Sequence, residues 1–494
     1  MKRILQAAVL ATVAMLPLTA QAAKDSVTMG MTLEPPGLDP STGAAAAIAQ
    51  ITLYNVFEGL TRVNEDSTVS PMLAESWTVS DDQKTYTFKL LSGVKWHDGT
   101  DFDAGDVKFT FERNAAEDSQ NKRKKYFTNM ASVEALDPHT LRITLKEPRP
   151  TFLFNMGEST AVIVNPEAAA SNATKPIGTG PFRFVKWVKG DSVSLEKNPD
   201  FRDAASVMIN KVKFRFINDQ AARIAAVLVG DVDLIGVSNA DATLGPLKNH
   251  PRIEVVFGTT EGETILSTNN KNPALSKLKV RQAIAHALNR EEIIDGAMFG
   301  AGVPIGTHFA PQNPDYVDLT GTYPFDLEKS KALLAEAGYA PGSLELRLAL
   351  PPIPYARDGG QIVAQQLEKA GFKIKIENVE WAVWLDQVYK QKNYDLSIVS
   401  HVEPMDIGIY ANPDYYFQYD SKDFQETMKM ADGATDPAER SKYLKMAQRM
   451  IAEDAVNGYL FQLARIIIKD RGLKGIWKNS PFFVNDMRAV HWDN

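Results

Sequence analysis

Leu90 to Arg113 reads Leu-Leu-Ser-Gly-Val-Lys-Trp-His-Asp-Gly-Thr-Asp-Phe-Asp-Ala-Gly-Asp-Val-Lys-Phe-Thr-Phe-Glu-Arg. Ahead of it, Tyr86, Phe88 and Leu90 alternate with Thr85, Thr87 and Lys89, the period-two pattern of a strand with one buried face. Ser92-Gly93 and Asp98-Gly99 then predict two turns, because glycine accepts positive φ without steric cost. Asp106 is placed to accept from the free N–H groups of a first helical turn, and Val107, Phe109, Thr110 and Phe111 open a helix with an apolar face. The local reading is strand, double turn, capped helix.

Taken together, Gly93, Val94, Trp96, His97, Asp98, Gly99, Thr100, Phe102, Ala104, Asp106, Val107, Phe109 and Thr110 match a longer pattern. The stretch resembles the signature of the peptide-type solute-binding proteins of ABC importers, family five of the extracellular solute-binding proteins. Further runs extend the resemblance over most of the chain. These are Asn55-Val56-Phe57-Glu58-Gly59-Leu60, Gly178-Thr179-Gly180-Pro181-Phe182, Asn198-Pro199-Asp200-Phe201, and the helical set Arg281, Ala283, Ile284, Ala287, Leu288, Asn289, Arg290 and Ile293. The resemblance implies an α/β chain in the two-lobed periplasmic-binding-protein fold, cluster C type, with an extra N-terminal subdomain. Lobe I takes 23–45, 176–260 and 467–494, the extra subdomain 46–175, and lobe II 261–466. A hinge is expected where the chain crosses between lobes, near Gly258 to Ser267 and Leu463 to Lys469.

The N-terminus agrees with that reading. Met1-Lys2-Arg3, the apolar run Ile4 to Leu16 and Ala20-Gln21-Ala22 have the layout of a secretory signal peptide cleaved after about Ala22. The apolar run is too short to span a bilayer. The chain has no cysteine, so a lipid anchor on a new N-terminal cysteine is excluded, as are disulfides and thiol chemistry. A periplasmic location without an anchor is the expectation. The 54 basic and 61 acidic residues give a net charge of −7, and removing Lys2 and Arg3 takes it near −9. Dispersed cations under an acidic balance argue against nucleic acid. The one basic run, Lys122-Arg123-Lys124-Lys125, reads as a solvated face.

The rest of the chain falls into recognisable units. Ser26 to Thr32 predicts a strand, and the prolines of Leu33-Glu34-Pro35-Pro36 end it. Lys211 to Phe216, a helix capped by Asp219 and a short strand delivered by Gly230 to Leu234 make a βαβ-like order, hence a parallel sheet. Beyond Gly258, strands at Leu344 to Leu350, Lys373 to Val379 and Tyr394 to Ser400 alternate with helices at Gly359 to Ala370 and Trp381 to Gln391. That order predicts a second α/β unit with right-handed crossovers. The glycines of 178–180 and 300–306 lack the strand–loop–helix order of a phosphate cradle and read as backbone punctuation.

Enzyme chemistry finds little support. The seven histidines, His97, His139, His250, His286, His308, His401 and His491, show neither i, i+4 pairing nor the acidic neighbour of a zinc hydrolase. No G-x-S-x-G elbow is present. Carboxylate pairs such as Asp98 with Asp101, or Glu403 with Asp406, are expected by chance in so acidic a chain and would need a separation that only structure shows. No catalytic residue, cofactor or metal is assigned.

The resemblance implies a receptor that captures a peptide-like solute between its lobes and hands it to an inner-membrane ABC permease and ATPase. A monomer with one ligand per chain is expected, since no heptad seam is present. Glu34 matches a glutamate that lines the cleft in relatives. Arg357 falls where dipeptide binders place an arginine facing the ligand carboxylate. Trp381 and Trp384 are candidates to wall the cleft, or to be core. Where relatives read G-W-x-x-D, this chain reads Ser400-His401-Val402-Glu403-Pro404. His401 replaces the tryptophan, and Glu403 or Asp406 is left to replace the amine-binding aspartate. That departure keeps an oligosaccharide, an opine-like conjugate and a chelated metal open as alternative ligands on the same fold.

Overall fold

The computed structural model describes residues 24–43, 45–236, 242–247, 249–403, 405–434 and 436–493. The signal-peptide reading, on residues 1–22, lies outside them, as does Pro404.

One eleven-stranded mixed sheet threads the molecule. From one edge its path runs through Lys373–Asn378, Glu345–Leu350, Leu396–His401, Ile253–Thr268, Gly458–Asp470, Leu234–Ile235, Ser26–Met31, Lys211–Phe216, Ser192–Lys197 and Phe182–Val188, while Gly302–Pro304 joins alongside Gly458–Asp470. Ser26–Met31 pairs in parallel with both Lys211–Phe216 and Leu234–Ile235, the topology that the βαβ order required. Glu345–Leu350 likewise pairs in parallel with Lys373–Asn378 and Leu396–His401.

Two long antiparallel strands, Ile253–Thr268 and Gly458–Asp470, form the middle of the sheet. At one end their side chains enter a core with Ile224, Val232 and Leu247. At the other, Leu266, Leu460 and Phe461 pack with the helices Leu278–Ala287, Arg290–Met298 and Pro354–Lys369. Between the ends the ladder slips, with a register shift from Thr259 to Glu263. A bulge of that kind bends and twists a strand pair locally.

A separate four-stranded antiparallel sheet, Ala74–Val79, Thr85–Leu90, Thr140–Leu145 and Met130–Asp137, carries the opening stretch. Its core gathers Tyr86, Phe88, Trp96, Phe102, Phe111 and Phe152. The helix Ala46–Thr52 and Tyr54 to Phe57 pack instead with Val27, Met29 and Phe214 of the large sheet, so the two units share the wall between them. The helix after the double turn begins at Ala104, two residues before Asp106. Asp103 is its cap, accepting from Gly105 N and Asp106 N, and Asp106 reaches back to the Asp103 N–H to complete a capping box. Asp106 also accepts from the Trp96 indole at 3.0 Å, a tertiary partner that local pattern could not supply.

Three of the motif runs converge on one buried knot. The Glu58 carboxylate, 1% exposed, takes both guanidinium arms of Arg202 at 2.6 and 2.7 Å and the Thr179 hydroxyl at 2.9 Å. His97 Nε2 lies 3.0 Å from Gly180 O, and Gly178 N donates to His97 Nδ1 at 3.3 Å. That pair of contacts selects the neutral tautomer protonated at Nε2. Desolvation, first among the influences on it, brings the His97 imidazole down to about 4. A β-carbon on Gly178 would sit 1.8 Å from the Val56 carbonyl oxygen, so this glycine exists for close backbone approach.

Candidate functional site: the cleft across the middle strands

A cavity of about 450 Å3 opens over the bulged strand pair, within the range of small-molecule sites. Thr260 to Gly262 and Leu463 to Ile466 form its floor. One wall comes from the helix Ala46–Thr52, from Lys122 and Arg123, from Glu158 and Ser159, and from the C-terminal loop 480–484. The facing wall comes from Met298, Ile353 to Tyr355, Val402 and Glu403. Every unit of the fold therefore contributes to one cavity.

The charges are unevenly placed. Lys122 and Arg123 stand on the first wall, where burial and then the neighbouring Arg123 hold the Lys122 amine below its ordinary value. The run read as a solvated face thus puts two of its four cations into the cleft. The reason is tertiary: the helix Lys124–Thr128 buries Tyr126 and Phe127, and this anchors the preceding residues at the rim. Arg123 Nη2 lies 3.9 Å from Glu403 Oε1 on the opposite wall. In the floor, Glu261 is 3% exposed and accepts from Ser67 Oγ at 2.6 Å and Gln312 Nε2 at 3.0 Å. Burial pushes its carboxyl up.

Arg465, also in the floor, is 4% exposed. Its guanidinium donates to the carbonyl oxygens of Gly236, Asn479 and Val484 and to Asn485 Oδ1. Among the described residues no carboxylate lies within ion-pair distance of it, and desolvation brings it down to about 10. No sequence signal marked it, since an arginine within an apolar strand run reads as an edge residue until its neighbours are known.

The residues singled out from sequence are dispersed around this cavity. Glu403 lines it. Glu34 is half-buried outside the lining, accepting from the Trp187 indole at 2.8 Å and from Gly190 N at 3.1 Å, where it ties the chain to the Phe182–Lys197 hairpin. Arg357 lies two residues beyond Tyr355 of the wall, with Nη2 3.7 Å from Glu380 Oε1. Trp381 and Trp384 stack with centroids 5.0 Å apart, and the buried Trp384 donates to Ser397 Oγ at 2.9 Å. The segment that carries them is a short helix, Trp381–Val383, followed by a π-helix, Trp384–Lys390, rather than one regular helix. His401 and Asp406 lie behind the Glu403 wall, in contact with His308. His308 Nε2 is 2.8 Å from Asp406 Oδ1, and His401 Nδ1 is 3.6 Å from Asp406 Oδ2. Burial alone would raise the Asp406 carboxyl, but His308 and then His401 hold it below the usual range.

This arrangement of lobes, cavity and crossing strands can be compared with known proteins. Residues 68–426 match the profile of the bacterial extracellular solute-binding proteins, family 5, middle region. The chain belongs to this family. Among the proteins it is similar to is the di/tripeptide-binding protein 1 of Pseudomonas aeruginosa, 29% identical over an alignment that covers 92% of each chain. Another is the glutathione-binding protein GsiB of Pectobacterium atrosepticum, 31% identical over 74% of this chain and 71% of the relative. The structure of HbpA2 from Haemophilus parasuis superimposes with a TM-score of 0.86 at 24% identity, covering 95% of this chain and all of that one. The fold is thus the two-lobed α/β fold of family 5. No helix among the described residues is long and apolar enough to cross a membrane.

Proposed function

We propose that this family 5 protein is the periplasmic receptor of an ABC importer, that it binds without catalysis, and that its solute is a short zwitterionic peptide or a peptide conjugate of similar size. The observation that carries the reading is the cavity itself: about 450 Å3, walled by both lobes, with Lys122 and Arg123 on one wall facing Glu403 on the other. A zwitterion needs both signs once water is excluded, because an unpaired charge in a closed site costs several kcal/mol. The ligand carboxylate falls to Arg123 at the rim and Arg465 in the floor, and the ammonium group to Glu403 and Glu261. The names of the relatives support the same class of solute, since one is a di/tripeptide-binding protein and another binds glutathione.

Closure follows from the same layout. The bulged stretch of the two middle strands lies under the cavity and between the flanking cores, the place for a hinge that brings Arg357 toward the cleft. In this reading residues 23–45, 176–260 and 467–494 with the subdomain 46–175 move against 261–466. The receptor acts as a monomer and delivers its solute to a membrane permease.

Native mass spectrometry of the protein as purified, followed by titration calorimetry with the released compound, tests the assignment. One peptide-sized zwitterion per chain is expected. A neutral sugar, a stoichiometry far from one, or turnover of the bound compound overturns it.

A further inference from the structure

Behind the Glu403 wall, two histidines and an acid separated by up to 98 positions in the chain are brought to one buried point. His308 is fully buried and His401 9% exposed. Together with Asp406 they offer nitrogen and oxygen atoms that all lie within 4.8 Å of one another. The strand pairing places a second acid next to this group, because Glu263 stands directly opposite His401 in the antiparallel ladder between Ile253–Thr268 and Leu396–His401. Directly opposed residues project to the same face with β-carbons about 5 Å apart. Glu263 is 3% exposed, and its Oε2 has no hydrogen-bond partner among the described residues.

We propose that His308 Nε2, His401 Nδ1, Asp406 and Glu263 form a binding site for a divalent zinc-class cation. Donor type fits first. Two imidazoles with two carboxylates are a nitrogen and oxygen set suited to Zn2+, whose ligands stand about 2.0–2.2 Å from the ion and thus about 3.4 Å from each other at the tetrahedral angle. The separations of 2.8 and 3.6 Å from the Asp406 oxygens to the two imidazole nitrogens bracket that value. Charge fits next, since two carboxylates and two neutral imidazoles balance a divalent ion inside the protein, where an uncompensated carboxylate is costly.

The outer contacts point the same way. A metal-bound imidazole donates its other N–H to a neighbouring acceptor, which orients the ring. His308 Nδ1 lies 3.1 Å from the Tyr410 hydroxyl, and His401 Nε2 lies 3.0 Å from the Tyr416 hydroxyl. Both tyrosines are buried. Each imidazole therefore presents one nitrogen to the common point and the other to a hydroxyl that can accept. The site adjoins the cleft without being part of its lining: Glu263 follows Gly262 of the floor, and His401 precedes Val402 of the wall. A bound ion would tie the floor strand to the segment bearing Glu403 whatever the solute is, so the inference does not depend on the peptide reading.

The experiment uses the full mature chain without an affinity tag, stripped with a chelator. Zn2+ is titrated calorimetrically, Co2+ serves as the spectroscopic probe, and the melting temperature is followed with and without metal. One ion per chain, visible d–d bands of four-coordinate Co2+ and a metal-dependent rise in melting temperature are expected. Asp406→Asn and His401→Ala should each weaken Zn2+ at least about a hundredfold and Glu263→Gln about tenfold, while His139→Ala, at an exposed turn, leaves binding unchanged. Should His401→Ala fail to fold, Glu263→Gln, which keeps shape and volume, carries the test. Absence of stoichiometric Zn2+ binding below about 100 µM, or equal affinity in Asp406→Asn or Glu263→Gln and the parent, overturns the assignment.

Discussion

Arg123 on one wall and Glu403 on the facing wall hold their charges 3.9 Å apart across the mouth of the cleft. Both side chains remain partly solvated, and such a pair contributes no more than about 1 kcal/mol to stability. In the proposed site the pair offers a solute a cation and an anion already desolvated on one side. Arg123→Ala and Glu403→Gln should therefore leave the melting temperature within a degree or two of the parent. Each should weaken the co-purifying solute tenfold to a hundredfold, about 1.4 to 2.7 kcal/mol. Calorimetry alongside a thermal melt checks both halves, and unchanged affinity in both variants would remove the pair from the site.

Arg357 tests the proposed closure of the cleft. In this structure it lies outside the cavity lining and faces Glu380 at 3.7 Å. If lobe closure carries it onto the ligand, Arg357→Ala should raise the dissociation rate more than it lowers the association rate, because the contact forms only after docking. Stopped-flow kinetics reads the two rates directly. An Arg357→Ala variant with parental dissociation would leave carboxylate recognition to Arg123 and Arg465.

The pH dependence of stability should report His97. Its imidazole titrates near 4 in the fold against about 6.5 in an unfolded chain. Between those values the unfolded state binds the proton more readily, so stability rises with pH through the window and is lost as pH falls from about 6.5 toward 4. The linkage is worth on the order of 3 kcal/mol. His97→Gln keeps a donor to Gly180 O and cannot titrate, so its melting temperature should fall less than that of the parent between pH 7 and pH 5. Parallel slopes for the two proteins would refute the assignment.

The knot around Glu58 should be intolerant of small changes. Glu58→Gln leaves the Arg202 guanidinium without its bidentate partner, and breaking a buried pair costs about 3 to 5 kcal/mol. Gly178→Ala drives a β-carbon into the Val56 carbonyl, with about 3 kcal/mol expected from overpacking. Chemical denaturation measures both. Glu34→Ala, which breaks the contacts to Trp187 and Gly190, should cost nearer 1 kcal/mol.

Much of this protein is determined locally. Alternation and glycine placement specify Thr85–Leu90, the Phe182–Lys197 hairpin and Lys211–Phe216, because side-chain period and allowed φ are properties of neighbouring residues. Asp219, Asn289, Asp326 and Asp436 cap the helices that follow them, since a cap acts within three residues. The order of elements even specifies which strands run parallel, as a helical crossover allows little else. The long motif runs identify the family for a related reason: Glu58, His97, Gly178 and Arg202 meet in one knot, and packing there tolerates few alternatives.

The cleft and its charges were decided elsewhere. Lys122 and Arg123 carry no local mark that separates a solvated run from a cleft wall; burial of Tyr126 and Phe127 puts them there. Arg465 is a cation in an apolar strand whose partners, Gly236, Asn479, Val484 and Asn485, come from two distant loops. His308, His401, Asp406 and Glu263 have no spacing that signals a cluster, since their proximity arises from the pairing of Ile253–Thr268 with Leu396–His401 and the return of the chain at 308. Secondary structure is a short-range property of the backbone, whereas burial, pairing of charges and convergence of ligating atoms depend on which surfaces the chain brings together across hundreds of residues.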